Sequence, residues 1–311
     1  MVVGVDLGGT KIQTVAMRSR RRVGEARSQT PRTSADDVVA AVLDSIRATG
    51  VPAQEIGAVG IGSPGEIDPR TGAVTQARNL VGFEGRIELG ELVSKSLSGV
   101  RVRVDNDVRS ALWGEYRLGA GRPFKNLLGV FVGTGVGGGL IIKGRLHQGR
   151  GAAGEIGHVV VKPGGRQCGC GRRGCLEAYA GRGQMEVHAR KLVRKGRKTV
   201  LFELMKKRQR DRMTSGVIAE ALEAKDRLAE ELIEDAVAAL GVGVASAQNL
   251  FDAEAVIVGG GLGDRLGAPF VERIKAAMQP HLFSSDHPPE VLTTELGDLA
   301  GAIGAALVAG A

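Results

Sequence analysis

One arrangement occurs twice in this chain: an apolar strand, a glycine-rich turn containing threonine, and a returning apolar strand. Residues 2–6 read as a buried strand, Gly8-Gly9-Thr10-Lys11 as the turn and residues 12–17 as the return. Residues 127–132, the run Gly133-Thr134-Gly135-Val136-Gly137-Gly138-Gly139 and residues 140–142 repeat the pattern. Such an echo predicts a duplicated α/β fold with one hairpin in each half. At 311 residues the chain can bury a sizeable core, and two domains are expected.

Between the repeats, residues 34–49 carry Val38, Val39, Val42, Leu43 and Ile46 at helical spacing. Residues 58–62 form a short apolar strand closed by the turn signal Ser63-Pro64-Gly65. Val100, Val102 and Val104 alternate with arginines, the pattern of a half-buried strand. That strand runs into Asp105-Asn106-Asp107, and a helix follows through Ala111, Leu112 and Tyr116. Residues from about 178 to 249 are helix-rich, and 255–258 are a last buried strand closed by Gly259-Gly260-Gly261. A small-residue helix is expected over 301–309.

The formal charge of +8 is compatible with a nucleic-acid partner, but its distribution argues against one. Eleven Lys and Arg fall between Arg190 and Arg212 against only Glu203 and Asp211, so the excess belongs to one segment. Phe202 is its lone aromatic residue, too little for base stacking. A solvated helical face is the plain reading, and a dock for an anionic partner the sharper one. No apolar run approaches the ~20 residues of a membrane span, and residues 1–6 lack the pattern of a secretory leader. A cytoplasmic location with no membrane partner is the resulting expectation.

The 48 glycines cluster after apolar runs, where a backbone turns tightly or approaches a ligand. Residues 133–138 satisfy G-x-G-x-x-G, yet the dinucleotide fingerprint needs a helix directly after the turn, and a strand-like Leu-Ile-Ile follows. Neither turn matches the P-loop. Asp6, at the end of an apolar strand beside Thr10 and Lys11, offers an acid for Mg²⁺, a hydroxyl and an ammonium around a bare backbone turn. That grouping suits the terminal phosphates of a nucleotide.

His158, Cys168, Cys170 and Cys175 give H-x9-C-x-C-x4-C, the chain's whole cysteine complement. Four such donors, with Gly169, Gly171 and Gly174 between and around them, predict a closed tetrahedral zinc site of structural type. Asp107 and Asp105 both sit where a strand gives way to a helix, and spacing alone leaves them equal candidates for a general base, or for mere caps. Glu155 and Glu177 flank the cysteine cluster and could hold sugar hydroxyls, or could be ordinary surface acids.

Taken in order, these motifs resemble the ROK family of sugar kinases, repressors and open reading frames, its glucokinases in particular. The resemblance covers essentially the full chain. It rests on Asp6-x-Gly-Gly-Thr-Lys11, Asn106-Asp107 with Ala111 and Gly114-Glu115, residues 133–138, Gly154-Glu-Ile-Gly-His158, residues 168–177 and Gly259-Gly-Gly261. It implies an actin-like fold of two ribonuclease-H-like α/β domains around a cleft. Residues 1–108 plus 299–311 would form the smaller domain, and 109–298 the larger one with its zinc loop.

The resemblance also assigns roles. Asp107 matches the catalytic base, which chooses it over Asp105. Gly65, Asn79, Asn106, Asp107, Glu155, His158 and Glu177 match sugar-binding positions, with His158 shared between zinc and sugar. Asp6, Gly8, Gly9, Thr10 and Lys11, with Gly133, Thr134, Gly135, Gly137 and Gly138, match the phosphate-binding turns, and Gly259 and Gly260 the adenosine end. The implied reaction is phosphorylation of the 6-hydroxyl of glucose, or of another hexose, by Mg·ATP in a homodimer or homotetramer. The repressors of the family carry a DNA-reading module before the Asp-x-Gly-Gly-Thr segment, which here begins at residue 6, so no nucleic-acid partner is expected. Val108, Arg109 and Ser110 stand where the family often has small residues, and Gly181 where it often has serine. Arg109 is therefore expected either along the cleft floor or facing solvent.

Overall fold

In the computed structural model, which describes residues 1–77 and 79–310, the chain divides into two compact units. Residues 1–125, 140–153 and 295–311 make the first, and residues 126–139 and 154–294 the second. Ala311, the last residue of the 299–311 segment, lies outside the described residues.

In the first unit the opening apolar run is β1 (Val2–Leu7), with Val3, Val5 and Leu7 fully buried. β2 (Lys11–Arg18) pairs antiparallel with β1, and β3 (Arg21–Gln29) antiparallel with β2. α1 (Ala35–Arg47) begins where Ser34 Oγ accepts from the backbone N–H of Asp37 at 3.1 Å, a side-chain cap, and buries Val38, Val42 and Ile46. β4 (Ala58–Ser63) lies parallel to β1. A small hairpin, β5 (Glu66–Ile67) and β6 (Val74–Thr75), and α2 (Leu89–Ser96) lead to β7 (Arg101–Asn106), parallel to β4. α3 (Asp107–Leu118) starts at the next residue. The sheet order is β3-β2-β1-β4-β7.

The second sheet repeats that order. β8 (Leu127–Val132) is the fully buried equivalent of β1, and β9 (Val136–Ile142) is its hydrogen-bonded neighbour. β10 (Arg145–His147) turns back antiparallel on residues 140–142 of β9. The expected helical region contains α4 (Glu177–Ala180), α5 (Arg182–Arg194), α6 (Leu201–Lys207), α7 (Ser215–Glu223) and α8 (Arg227–Phe251). β11 (Ala255–Gly259) then lies parallel to β8, α9 (Gly260–Met278) follows, and β12 (Glu290–Thr293) lies parallel to β11. The order β10-β9-β8-β11-β12 is thus the first sheet's order again, ribonuclease-H-like in both.

One expectation needs correcting in detail. The second glycine run is not a turn throughout: the strand resumes at Val136, so Gly137, Gly138 and Gly139 belong to β9. A Cβ on Gly138 would stand 2.5 Å from Gly154 O and 2.7 Å from Ile156 Cγ2, so glycine there serves close packing, not chain reversal.

The chain ends in α10 (Ala300–Ala309), which is buried almost all round and built of glycine, alanine and a few aliphatics. Added Cβ atoms on Gly60 of β4 or Gly304 of α10 would collide with the carbonyls of Ala305 and Ser110 respectively. Small residues on both sides let this helix seat directly on the backbones of β1, β4 and α3.

Candidate functional site

In the first unit, β7 delivers Asn106 and Asp107 to the start of α3. Asn106 is the cap: its Oδ1 accepts from the backbone N–H groups of Val108 at 3.0 Å and Arg109 at 3.1 Å. Asp107 is the first helical residue, and its Oδ1 accepts from Val108 N–H at 2.9 Å.

Asp105 has a different life. It is buried, and its Oδ1 accepts from Asn106 N–H at 2.7 Å and Arg109 Nε at 2.7 Å, while Oδ2 accepts from Gln148 Nε2 at 2.7 Å. The Arg109 Nη2 is 2.6 Å from the same Oδ1, and Nη1 donates to Gly151 O at 2.6 Å. Arg109, 4% exposed, therefore does not face solvent; it is a buried partner of Asp105 and of the 148–151 loop.

Asp6, at the end of β1, has its carboxyl pushed up to about 7, first by burial, then by the charge of Asp107, with Lys11 acting against both. A Cβ on Gly301 would stand 2.7 Å from Asp6 Cγ, so α10 starts directly over this acid. Two mutually repelling carboxylates make a set of hard oxygen donors that fits Mg²⁺. Lys11 Nζ is 2.9 Å from Asp298. The turn after β1 is closed by Gly8 N–H donating to Lys11 O at 3.0 Å, and Thr30 Oγ1 donates to Gly8 O at 2.6 Å. Thr10 is exposed at its tip. Asn79 comes to this turn: its carbonyl oxygen lies 2.6 Å from where a Cβ on Gly9 would be. Gly65, at φ 96°, follows β4 in a backbone conformation that a side chain resists.

In the second unit, the turn from β8 to β9 is Gly133-Thr134-Gly135, closed by Gly133 N–H donating to Gly135 O at 2.8 Å. Glu177, the first residue of α4, accepts from Val136 N–H at 3.0 Å, and the same carboxylate oxygen occupies the place that a Cβ on Gly135 would take. Gly260, at φ 81°, opens α9 with its Cα against the backbone of Val132, so the Gly259-Gly260 corner meets the end of β8 that feeds Gly133 and Thr134. Both turns expected to take the nucleotide in this unit thus converge. Glu155 is exposed ahead of a single helical turn, residues 156–158, in which His158 N–H donates to Glu155 O at 3.0 Å.

His158, Cys168, Cys170 and Cys175 come together, with one ligand atom from each lying within 4.8 Å of all the others. Cys170 Sγ and Cys175 Sγ are 3.7 Å apart, close to the ~3.8 Å edge of a tetrahedron with Zn–S bonds of about 2.3 Å. His158 Nδ1 is buried without a hydrogen-bond partner among the described residues. Burial pushes the Cys168 thiol up to about 12, a cost that a bound cation would reverse. The donor set fits zinc. The loop is tied off by Cys168 N–H to Arg172 O at 2.8 Å and by a bridge between Val160 and Cys175. Arg166 anchors it further, pairing with Asp235 and lying over the Tyr179 ring at 4.8 Å.

The sequence profile of the ROK family matches residues 2–311. The chain belongs to the ROK family. A glucokinase of Streptomyces coelicolor is 32% identical to it over 98% of this chain and 96% of that one. A glucokinase of Thermotoga maritima is 31% identical over 99% and 96%. Among solved structures, the ROK family glucokinase from Streptomyces griseus in complex with glucose and AMPPNP superposes with a TM-score of 0.83 at 33% identity, covering 99% of this chain and 98% of that one. The actin-like ATPase fold of the ROK kinases is therefore the fold of this chain.

Within this ROK chain some buried polar contacts follow only from the fold. Gln148 and Gly151 are far from Asp105 in sequence, so their shared network with Arg109 follows only from the fold. Glu115, quoted for its place in the family motif, turns out fully buried, its carboxylate accepting from the backbone N–H groups of Ala120, Glu295 and Leu296. Burial raises its pKa, and those donors oppose the rise. In the basic segment, Arg190, Arg197 and Arg208 pair with Glu186, Glu231 and Glu220, as a solvated face would. No helix among the described residues is long and apolar enough to cross a membrane.

Proposed function

We propose that this ROK protein transfers the γ-phosphoryl group of Mg·ATP to the 6-hydroxyl of glucose. The observation carrying this reading is the Asn106–Asp107 pair at the start of α3, with Asp6 beside it, in a chain 33% identical to a glucokinase whose structure holds glucose and AMPPNP. Phosphoryl transfer asks for a positioned hydroxyl, a base and neutralised phosphate charge.

In this reading Asp107 takes the proton as the sugar oxygen attacks the γ-phosphorus and ADP leaves. Asn106, fixed by its cap bonds, and Gly65, Asn79, Glu155, His158 and Glu177 hold the sugar. Glu177 is oriented for that by Val136 N–H. The turns at residues 8–11 and 133–135 offer backbone N–H groups to the phosphates, and Gly259-Gly260 meets the adenosine. Asp6 would hold the Mg²⁺ that accompanies ATP, which would supply neutralisation of the phosphate charge. His158, Cys168, Cys170 and Cys175 would hold a structural zinc that fixes the loop and the His158 ring. A cytoplasmic homodimer or homotetramer completes the proposal.

A coupled assay crossing glucose, mannose, fructose, N-acetylglucosamine and N-acetylmannosamine with ATP, ADP and polyphosphate tests it. Turnover is expected to be highest with glucose and ATP. A better acceptor than glucose would move the substrate assignment, and no turnover with any pair would end the kinase reading.

A further inference from the structure

Arg182 opens α5 directly behind the Gly133-Thr134-Gly135 turn, its backbone N–H donating to Gly133 O at 3.1 Å. Its guanidinium has five N–H donors to satisfy. Nη2 reaches Thr134 Oγ1 only at 3.4 Å and Nη1 reaches Met213 O only at 3.5 Å, both beyond the range of a firm hydrogen bond. Nε is sealed from solvent and has no partner among the described residues. No carboxylate forms an ion pair with this side chain among the described residues, unlike Arg190, Arg197 and Arg208 nearby in sequence. Burial alone lowers its pKa, with no acid compensating. A half-buried cation with slack hydrogen bonds thus lacks a counter-ion among the described residues.

The surroundings say where that counter-ion belongs. A Cβ placed on Gly261 would stand 3.8 Å from Arg182 Nη2 and 3.8 Å from Ser215 Oγ, so the guanidinium faces the first turn of α9. The guanidinium, the Thr134 hydroxyl and the Ser215 hydroxyl therefore lie together beside the start of α9 and the Gly133-Thr134-Gly135 turn. The geometry points to Arg182 as a further phosphate-binding residue, taking oxygens of the polyphosphate chain of the phosphoryl donor. This deepens the kinase reading and rests on it. Nothing in the sequence marks the residue, since a single arginine after a glycine carries no pattern.

The test is equilibrium binding by the full chain, without turnover, of AMPPNP, adenosine, glucose and inorganic tripolyphosphate. Arg182→Gln is expected to weaken AMPPNP by about tenfold to a hundredfold, the range for a lost charge-assisted hydrogen-bond pair. Tripolyphosphate should lose its ability to displace AMPPNP, while adenosine and glucose affinities stay within about twofold of wild type, which also reports an intact fold. Arg182→Lys, keeping the charge without the fork, should fall between the two. Equal AMPPNP affinity in wild type and Arg182→Gln overturns the assignment alone, as does a loss of adenosine affinity as large as that of AMPPNP. A wild-type chain that binds no nucleotide overturns the assignment and the kinase reading together.

Discussion

Arg109 Nη2 lies 2.6 Å from Asp105 Oδ1, with the two side chains 5% and 3% exposed. Removing one partner of so buried a pair leaves the other charge uncompensated, at a cost of about 3–5 kcal/mol. Arg109→Ala should therefore lower unfolding stability by that amount and loosen the 148–151 loop, which Arg109 and Gln148 tie to β7. Urea unfolding of the variant measures it; a loss below about 1 kcal/mol would mean that water already reaches the pair.

Asp107→Asn keeps the side chain's shape and its bond from Val108 N–H but removes the ability to take a proton. Turnover should fall by roughly 10²–10⁴-fold, with glucose affinity nearly unchanged. Steady-state kinetics beside equilibrium sugar binding separates the two effects, and near-wild-type turnover would strip Asp107 of its role as base.

Asp6 makes the stability of the ligand-free protein depend on pH. Its carboxyl holds a proton up to about 7 when folded, against 3.8 as the ordinary value of the unfolded chain. Folding thus takes up a proton between those values, and stability falls as pH rises across the window, by on the order of 4 kcal/mol at most. Asp6→Asn should flatten that slope and be more stable than wild type at pH 8, yet lose activity. Thermal melts from pH 4 to 8 without divalent cations report it; parallel slopes in both proteins would count against the buried acid.

Metal analysis should find one zinc per chain. Stripping it at neutral pH should disorder residues 158–175, lower the melting temperature and weaken glucose binding through His158, with zinc restoring all three. Stable, fully active protein without metal would remove the structural ion from the account. Cys175→Ser, at a fully buried ligand, should reproduce the stripped state.

The sheets were legible because β1, β4, β8 and β11 are short apolar runs bounded by glycine, a signal that depends on local composition. The cluster of His158, Cys168, Cys170 and Cys175 was legible because three of the four lie within eight residues of one another. What escaped was set by distance along the chain. Spacing could not separate Asp105 from Asp107, because the difference lies in Arg109, Gln148 and the fold that brings them to one of the two. The length of the second glycine turn escaped too: glycines packed under Gly154 and Ile156 look, in sequence, like glycines in a loop. Arg182 is the same case, its meaning carried by neighbours at Thr134, Met213 and Gly261.

The seat of α10 has a consequence for anyone cutting this chain. The seam that Gly60 and its neighbours leave open is filled by residues 300–309, so a fragment ending near residue 294 would present bare sheet backbone to solvent. Such a fragment should be insoluble by itself and rescued by a synthetic peptide of residues 295–311 supplied in trans. The carboxyl-terminal peptide is in that sense a detachable keystone, and affinity tags are better placed at the other end.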